Sequence, residues 1–303
     1  MNKSYDLIGL GYCGVDYLCL TPCIPVDDKI EALATLTQGG GPAATATYAS
    51  ARLGAKTAFI GAIGDDERGR SIVAGLRDGN VDTSGMKIRA GAESPAAFCW
   101  TEKTTGHRSI VWTRGDVKSL SPEEVNTTMI KSAKLLHLDG HQMAAALHAA
   151  QISRTNDVTV VIDAGTMVPG IEKLLALADI IIASEKFAER FTGESNPEVS
   201  IKKLFANNCR FAAVTMGVEG SIGFDGKTIF KQPSFKVKVV DTTGAGDVFH
   251  GAFAYRYLNG GDWPACLRFA AAVAALKCTE FGGRSGIPTL AETERFLQEH
   301  EVR

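Results

Sequence analysis

The chain has 303 residues, 45% hydrophobic and 22% charged, with a formal net charge of −2 and a pI near 6.3. That is an ordinary globular composition, and it gives no electrostatic case for nucleic acid. No apolar run approaches the roughly 18 residues needed to span a bilayer, and residues 1–6 lack a signal peptide's apolar core, so no membrane association and a cytoplasmic location are expected. Seven cysteines without a regular framework fit reduced thiols. Cys13, Cys19 and Cys23 cluster, but without CxxC spacing or a nearby histidine, so they read as buried thiols rather than metal ligands.

Residues 5–11 read as a buried strand. Gly9, Gly11 and Gly14 then match GxGxxG, but a dinucleotide fingerprint needs a helix to open at once, and Pro22 and Pro25 leave little room for one. Asp16 follows the first strand's end, where open α/β sheets present ligand-binding groups; the alternative is a solvated loop acid. Residues 17–38 read as short extended pieces. Gly39, Gly40 and Gly41 let backbone approach a ligand closely, and Pro42 suits the first turn of a helix running to Leu53. Residues 59–69 read as a strand end and a following helix start, mostly structural. The stretch 96–113 is hairpin-like, turning at residues 104–106. Together the two extended regions suggest a small side sheet.

Strand then helix repeats from there: 135–140 with 142–153, 159–163 with 171–177, 179–183 with 185–191, then a strand at 211–215. This spacing implies a parallel sheet covered on both faces. His137 reads as a satisfied core histidine; His141 and Gln142, just past a strand end, are candidate substrate contacts. Gly226 and Lys227 mimic the end of a phosphate-binding loop, but Ser221 stands where its first glycine belongs, and Asp225–Gly226 reads as a hairpin turn.

The organising stretch is 239–253. A β-branched run, Val239–Val240, reads as a strand; Gly244, Ala245 and Gly246 form a small-residue loop; a long apolar helix follows. First-turn amides backed by the positive end of the helix dipole make an anion site. Asp247 at its mouth is either a helix cap or a proton acceptor for an incoming hydroxyl, and amides with such a carboxylate are the equipment of phosphoryl transfer to an alcohol. Residues 265–279 read as an alanine-rich helix with glycine stops, and those from 289 onward as a closing surface helix.

The run Asp241, Thr242, Gly244, Ala245, Gly246, Asp247, Gly251, Ala252 resembles the C-terminal signature of the ribokinase-like (PfkB) carbohydrate kinases, and the glycine stretch 39–46 falls at the family's N-terminal signature. The resemblance covers nearly the whole chain. It implies a three-layer α/β/α fold with a mostly parallel central sheet, in one kinase domain (1–303) with lid insertions near 14–38 and 94–115 that cover the sugar and often make a dimer contact. It implies Asp247 as catalytic base, the Gly244, Ala245 and Gly246 amides as anion hole, and Asp16, Gly40 and Gly41 as sugar contacts. Thr215, Gly217 and Gly220 resemble a turn near the nucleotide phosphates. The helix and loop containing Lys277 and Gly282 would wall the adenine site, and groups near Asp241 and Thr243 can hold a monovalent cation such as K+.

Two departures stand out. Ala44 replaces an asparagine, and residues 184–187 replace Asn-x-x-Glu, a motif tied to magnesium, with Ser184 and Phe187 at its ends and Glu185 as a retained neighbouring acid. Mg2+ is still expected, because MgATP is the substrate form. Several runs, with His250, look most like the bacterial sulfofructose kinases, and Lys29 is in register with a substrate-anion lysine of that group, or is a solvated lid lysine. The implied function is ATP-dependent phosphorylation of a sugar hydroxyl. A nucleoside or vitamin-like alcohol as acceptor, or a non-catalytic binding relative, are the alternatives.

Overall fold

A computed structural model describes residues 3–205 and 209–301; the remaining residues of the expected 1–303 unit lie outside the described part. β1 (Tyr5–Leu10) is buried over its last four residues. β2 (Gly14–Thr21) and β3 (Ala34–Gly40) pair antiparallel, and no helix follows the GxGxxG-like glycines. Pro42 opens α1 (Pro42–Arg52). β4 (Thr57–Ile60) and β5 (Ala62–Gly64) precede α2 (Glu67–Asp78), capped by the Asp66 carboxylate, which accepts from the Gly69 N–H at 2.8 Å. The short strands β6 (Val81–Asp82) and β7 (Lys87–Arg89) lead to the hairpin of β8 (Ala96–Glu102) and β9 (Arg108–Thr113).

The second half alternates strand and helix: α3 (Thr127–Lys131), β10 (Ala133–Leu138), α4 (Met143–Arg154), β11 (Thr159–Ala164), α5 (Ile171–Leu175), β12 (Ile180–Ser184), α6 (Glu185–Thr192), α7 (Pro197–Leu204) and β13 (Phe211–Thr215). A hairpin of β14 (Ser221–Phe224) and β15 (Ile229–Gln232) turns at Asp225–Gly226, as expected. α8 (Ala245–Leu258), α9 (Trp263–Lys277) and α10 (Leu290–Glu299) complete the chain.

Among the described residues the main sheet has nine strands in the order β15-β14-β13-β12-β11-β10-β1-β4-β6. It is parallel from β13 to β6, with the β14–β15 hairpin antiparallel at one edge. Its strands are apolar on both faces because both faces are covered. Leu136, Val160 and Ile181 face a core shared with α4–α7, while their neighbours Leu135, Val161, Ile180 and Ile182 face one shared with α8 and α9. A separate four-stranded sheet, β3-β2-β8-β9, is built from the two extended regions.

The expected strand at Val239–Val240 does not form. The N–H groups of Val240 and Asp241 both donate to the Cys278 carbonyl, at 2.8 and 3.3 Å, so this run is tied to the end of α9 instead of a sheet edge. Of the clustered cysteines Cys13 is buried and Cys19 half-buried, but Cys23 is exposed, because it lies in the surface loop between β2 and β3.

Candidate active site

The parallel strands end together, and residues at or just past their C-terminal ends line one side of a cleft of about 440 Å³: Tyr12 after β1, Asp139 after β10, Asp163 in β11, Ser184 in β12 and Thr215 in β13. That is where open α/β sheets bind ligands. Two helix N-termini close the floor. Gly41 (φ 98°) precedes α1 and Gly244 (φ 72°) precedes α8, both in conformations that favour glycine, and both line the cleft. The helices lie side by side because Gly251 lets α8 touch α1: a Cβ there would run into the Ala46 carbonyl, and the Ser50 hydroxyl donates to the Gly251 carbonyl at 2.7 Å.

The small sheet forms the opposite wall. Period-two alternation puts Asp16, Ala97 and Trp112 in one paired row and Cys99 with Ile110 in the next, all on the cleft side; Arg108 lines the cleft one row further on. The sheet is seated on the turn before α8: Arg108 Nη1 donates to Thr242 Oγ1 at 2.7 Å, and the Thr242 hydroxyl lies 3.4 Å from the Gly106 carbonyl.

Asp247 is the third residue of α8. It caps nothing, since the N-cap is Gly244 and no side-chain cap bond is present. Its carboxyl opens into the cleft. Burial pushes it up to about 7; Asp16 and Asp139 add to the shift, while Arg108 and Arg284 oppose it. Asp16, on β2, is pushed up to about 6 by burial, against the pull of Arg284. The Ala245 N–H donates to the Thr242 carbonyl at 3.2 Å and Ala245 does not line the cleft, whereas Gly244, Gly246 and Asp247 of this turn do.

Asp241 is fully buried and stitches this turn. One carboxylate oxygen accepts from the Thr243 N–H (2.9 Å) and the Thr101 hydroxyl (3.4 Å), the other from the Gly282 N–H (3.0 Å). The Lys277 ammonium is buried on the Asp241 carbonyl at 2.8 Å, and burial lowers its pKa; it shapes the turn and does not line the cleft. Thr243 Oγ1 is buried without a protein partner, which leaves it as the side-chain oxygen of this turn able to meet a cation or a water. Thr215 lines the cleft, whereas Gly217 and Gly220 lie in the turn beyond it. Glu185 follows cleft-lining Ser184 as the first residue of α6; Ser184 caps that helix by accepting from the Phe187 N–H at 3.2 Å, and Phe187 is core, stacked on Phe191. Lys29 lies exposed in the β2–β3 loop, away from the cleft-lining residues, and its own N–H bonds Asp28.

Several site residues had no reading of their own in the sequence. Asp139 accepts from the N–H groups of Tyr12 (2.8 Å), Ala43 (3.2 Å) and His141 (2.9 Å), tying three segments to one carboxylate. Arg108 was recoverable from its place in the alternating row Arg108, Ile110, Trp112. Asp163 lies 3.5 Å from His250 Nε2; burial, Asp247 and Asp139 raise its pKa well above normal, while burial and His137 lower that of His250. His137 packs edge-to-face on His250 at 5.8 Å, fully buried but not satisfied: neither of its ring nitrogens, nor His250 Nδ1, has a protein partner. His141 does line the cleft; Gln142 does not, because its Oε1 accepts from the Leu120 N–H at 2.8 Å.

A profile described as "pfkB family carbohydrate kinase" matches residues 10–290. The 5-dehydro-2-deoxygluconokinases of Bacillus licheniformis and Bacillus subtilis are each 30% identical to this chain, over 98% of it and 97% of the relative. Fructokinase-1 of Oryza sativa is 30% identical over 98% of this chain and 99% of its own. A solved protein of Agrobacterium tumefaciens, provisionally called a ribokinase, superposes with a TM-score of 0.89 at 32% identity, covering 99% of both chains. The Arabidopsis thaliana ribokinase solved with ribose and ATP gives 0.84 at 25%, covering 98% of this chain and 99% of its own. With a glycine turn and a carboxylate facing a two-walled cleft, and matches of this extent, this chain belongs to the pfkB family of carbohydrate kinases.

Proposed function

We propose that the protein transfers the γ-phosphoryl group of ATP to a sugar hydroxyl, with Asp247 as the general base. The observation that carries this is the Asp247 carboxyl, uncapped and facing the same cleft as Asp16 and the first-turn amides of α8. Asp16 and the Gly40–Gly41 backbone hold the acceptor. Its hydroxyl proton passes to Asp247 as its oxygen bonds phosphorus, the bond to the β-phosphate oxygen breaks, and ADP leaves. The Gly244 and Gly246 amides meet the charge that develops on the phosphoryl oxygens.

ATP as donor has the Arabidopsis relative solved with ATP behind it. Magnesium fits as a metal held chiefly by nucleotide phosphates. Among the described residues no three carboxylate, histidine or cysteine groups converge into a cage, and Glu185, next in the chain to cleft-lining Ser184, is a single acid of the kind that suffices. When bound, the metal offsets phosphate charge.

The acceptor end favours a sugar acid. Arg114 does not itself line the cleft but stands beside two residues that do, over the Trp112 ring at 5.1 Å and 3.1 Å from His141 Nδ1, with no carboxylate in ion-pair range among the described residues. A cation so placed fits an acceptor carboxylate, and the relatives named 5-dehydro-2-deoxygluconokinase carry a sugar acid in their name. The same chain forms one kinase domain whose small sheet is the lid, and two copies join through the lid's outer face, where Tyr17, Phe98 and Val111 make an apolar row. A reducing cytoplasm suits the buried thiols of Cys13, Cys99, Cys266 and Cys278.

The test is ADP release with MgATP against D-fructose, D-ribose, 2-keto-3-deoxygluconate, 5-dehydro-2-deoxygluconate, fructose 6-phosphate and sulfofructose. Asp247→Asn should cut kcat by roughly 10²–10⁴-fold on the best acceptor. In the wild type kcat/KM should fall below about pH 7, where Asp247 gains its proton and can accept no other. Near-wild-type turnover by Asp247→Asn would exclude the base. Arg114→Ala should raise KM for a sugar acid by about tenfold or more and leave fructose unchanged; an equal effect on both would remove the sugar-acid reading.

A further inference from the structure

Arg284 is 8% exposed, on the loop between α9 and α10. Its Nε donates to Thr45 Oγ1 at 3.2 Å and its Nη2 to the Gly40 carbonyl at 3.3 Å, and the guanidinium lies over the Tyr48 ring at 5.1 Å. No carboxylate lies within ion-pair distance of it among the described residues, so a buried cation stands without a direct counter-ion. Such a charge is costly unless a neighbouring anion answers it.

The anion is across the strand. Gly39 and Gly40 end β3, and successive residues of a strand face opposite ways. A Cβ on Gly39 would meet Arg284 Nη1; a Cβ on Gly40 would meet the Asp16 carboxylate. The two charges thus lie on either side of a backbone stripped of side chains. Asp16 is the foremost charge acting on Arg284, and Arg284 is the foremost cation acting on Asp16. The same loop reaches the phosphoryl side as well: the Gly283 carbonyl packs where a Cβ of Gly244 would be, and the Gly282 N–H holds Asp241.

We propose that Arg284 is a positioning residue for the acceptor, a counter-charge anchored on Thr45 and Gly40 that holds Asp16 aimed into the cleft across the Gly39–Gly40 backbone. This rests on the reading of Asp16 as an acceptor contact. It assigns acceptor affinity to a side chain that does not itself line the cleft, on a loop from the far end of the chain.

The experiment is a double-mutant cycle on Asp16 and Arg284, with both substrates varied and the best acceptor of the panel above as probe. Arg284→Met should raise acceptor KM by about tenfold or more while ATP KM moves by less than about twofold. Arg284→Lys, which keeps the charge, should recover most of the loss. In an Asp16→Asn background, Arg284→Met should add little. A full additional loss in that background, or an equal rise in both KM values, overturns the proposal while leaving the role of Asp16 standing. An unchanged acceptor KM in Asp16→Asn, or no turnover of any panel member by the wild type, removes the underlying reading and the proposal with it. If Arg284→Met does not fold, Thr45→Val, which deletes the Nε anchor at a residue that also lines the cleft, must raise acceptor KM by about twofold or more with ATP KM unchanged and must add little in the Asp16→Asn background; no rise, or a full additional rise in that background, overturns the proposal.

Discussion

Two imidazoles buried against each other with three unpartnered nitrogens are a cost that the fold carries at neutral pH and feels more in acid. Burial lowers His137 to about 4, against 6.5 unfolded. Between these values the unfolded chain binds the extra proton, so stability is lost as pH falls from 6.5 toward 4. From pH 7 to pH 5 this one residue should remove about 2 kcal/mol. His137→Leu should lose less by that amount in urea unfolding at the two pH values; an identical loss in both proteins would mean that His137 is not neutral in the fold. The sequence exposes single residues of this kind unevenly. Asp247 and the glycines are legible because a turn, a helix mouth and a carboxylate are consecutive. Asp139, Asp163 and Arg284 are not, because their roles depend on strand register and on a loop returning from the far end of the chain.

At the scale of elements, the hydrophobic runs name their strands because a sheet covered on both faces needs no polar alternation. The strands of the small sheet are legible for the opposite reason, as alternation around turn residues. What fails is Val239–Val240, β-branched and strand-like, where a carbonyl at the end of α9 captures the amides before any strand does. The helical layer next to that run is held by an aromatic stack: Phe211 of β13 lies 4.4 Å from Trp263 of α9 and 5.7 Å from Phe253 of α8, nearly parallel to both. Phe211→Ala should cost about 3–5 kcal/mol, since it opens a cavity between sheet and helices that neither can fill. Chemical denaturation measures this; a loss under about 1 kcal/mol would show that the layer repacks.

For the whole molecule, the small sheet has two unlike faces. Its cleft face carries Asp16, Arg108 and Trp112; its outer face carries Tyr17 stacked on Phe98 at 5.2 Å, with Val111 beside them and 62% exposed. Val111→Lys should turn the proposed dimer into a monomer by sedimentation velocity, because a charge at the centre of an apolar contact must be desolvated. A monomeric wild type would remove the lid contact from the reading. The small sheet also sets an order of events in folding. Each of its hairpins is local, but its central pairing, β2 on β8, joins Val15 to Ala96, with α1, α2 and the β4–β6 edge of the main sheet between them in the chain. Such a pairing waits for the intervening chain to close, and closure of long loops is slow. The turn before α8 is finished only with it: Thr101 of β8 donates to Asp241 and Arg108 of β9 to Thr242, so a refolding molecule should close both walls of the cleft in one late step.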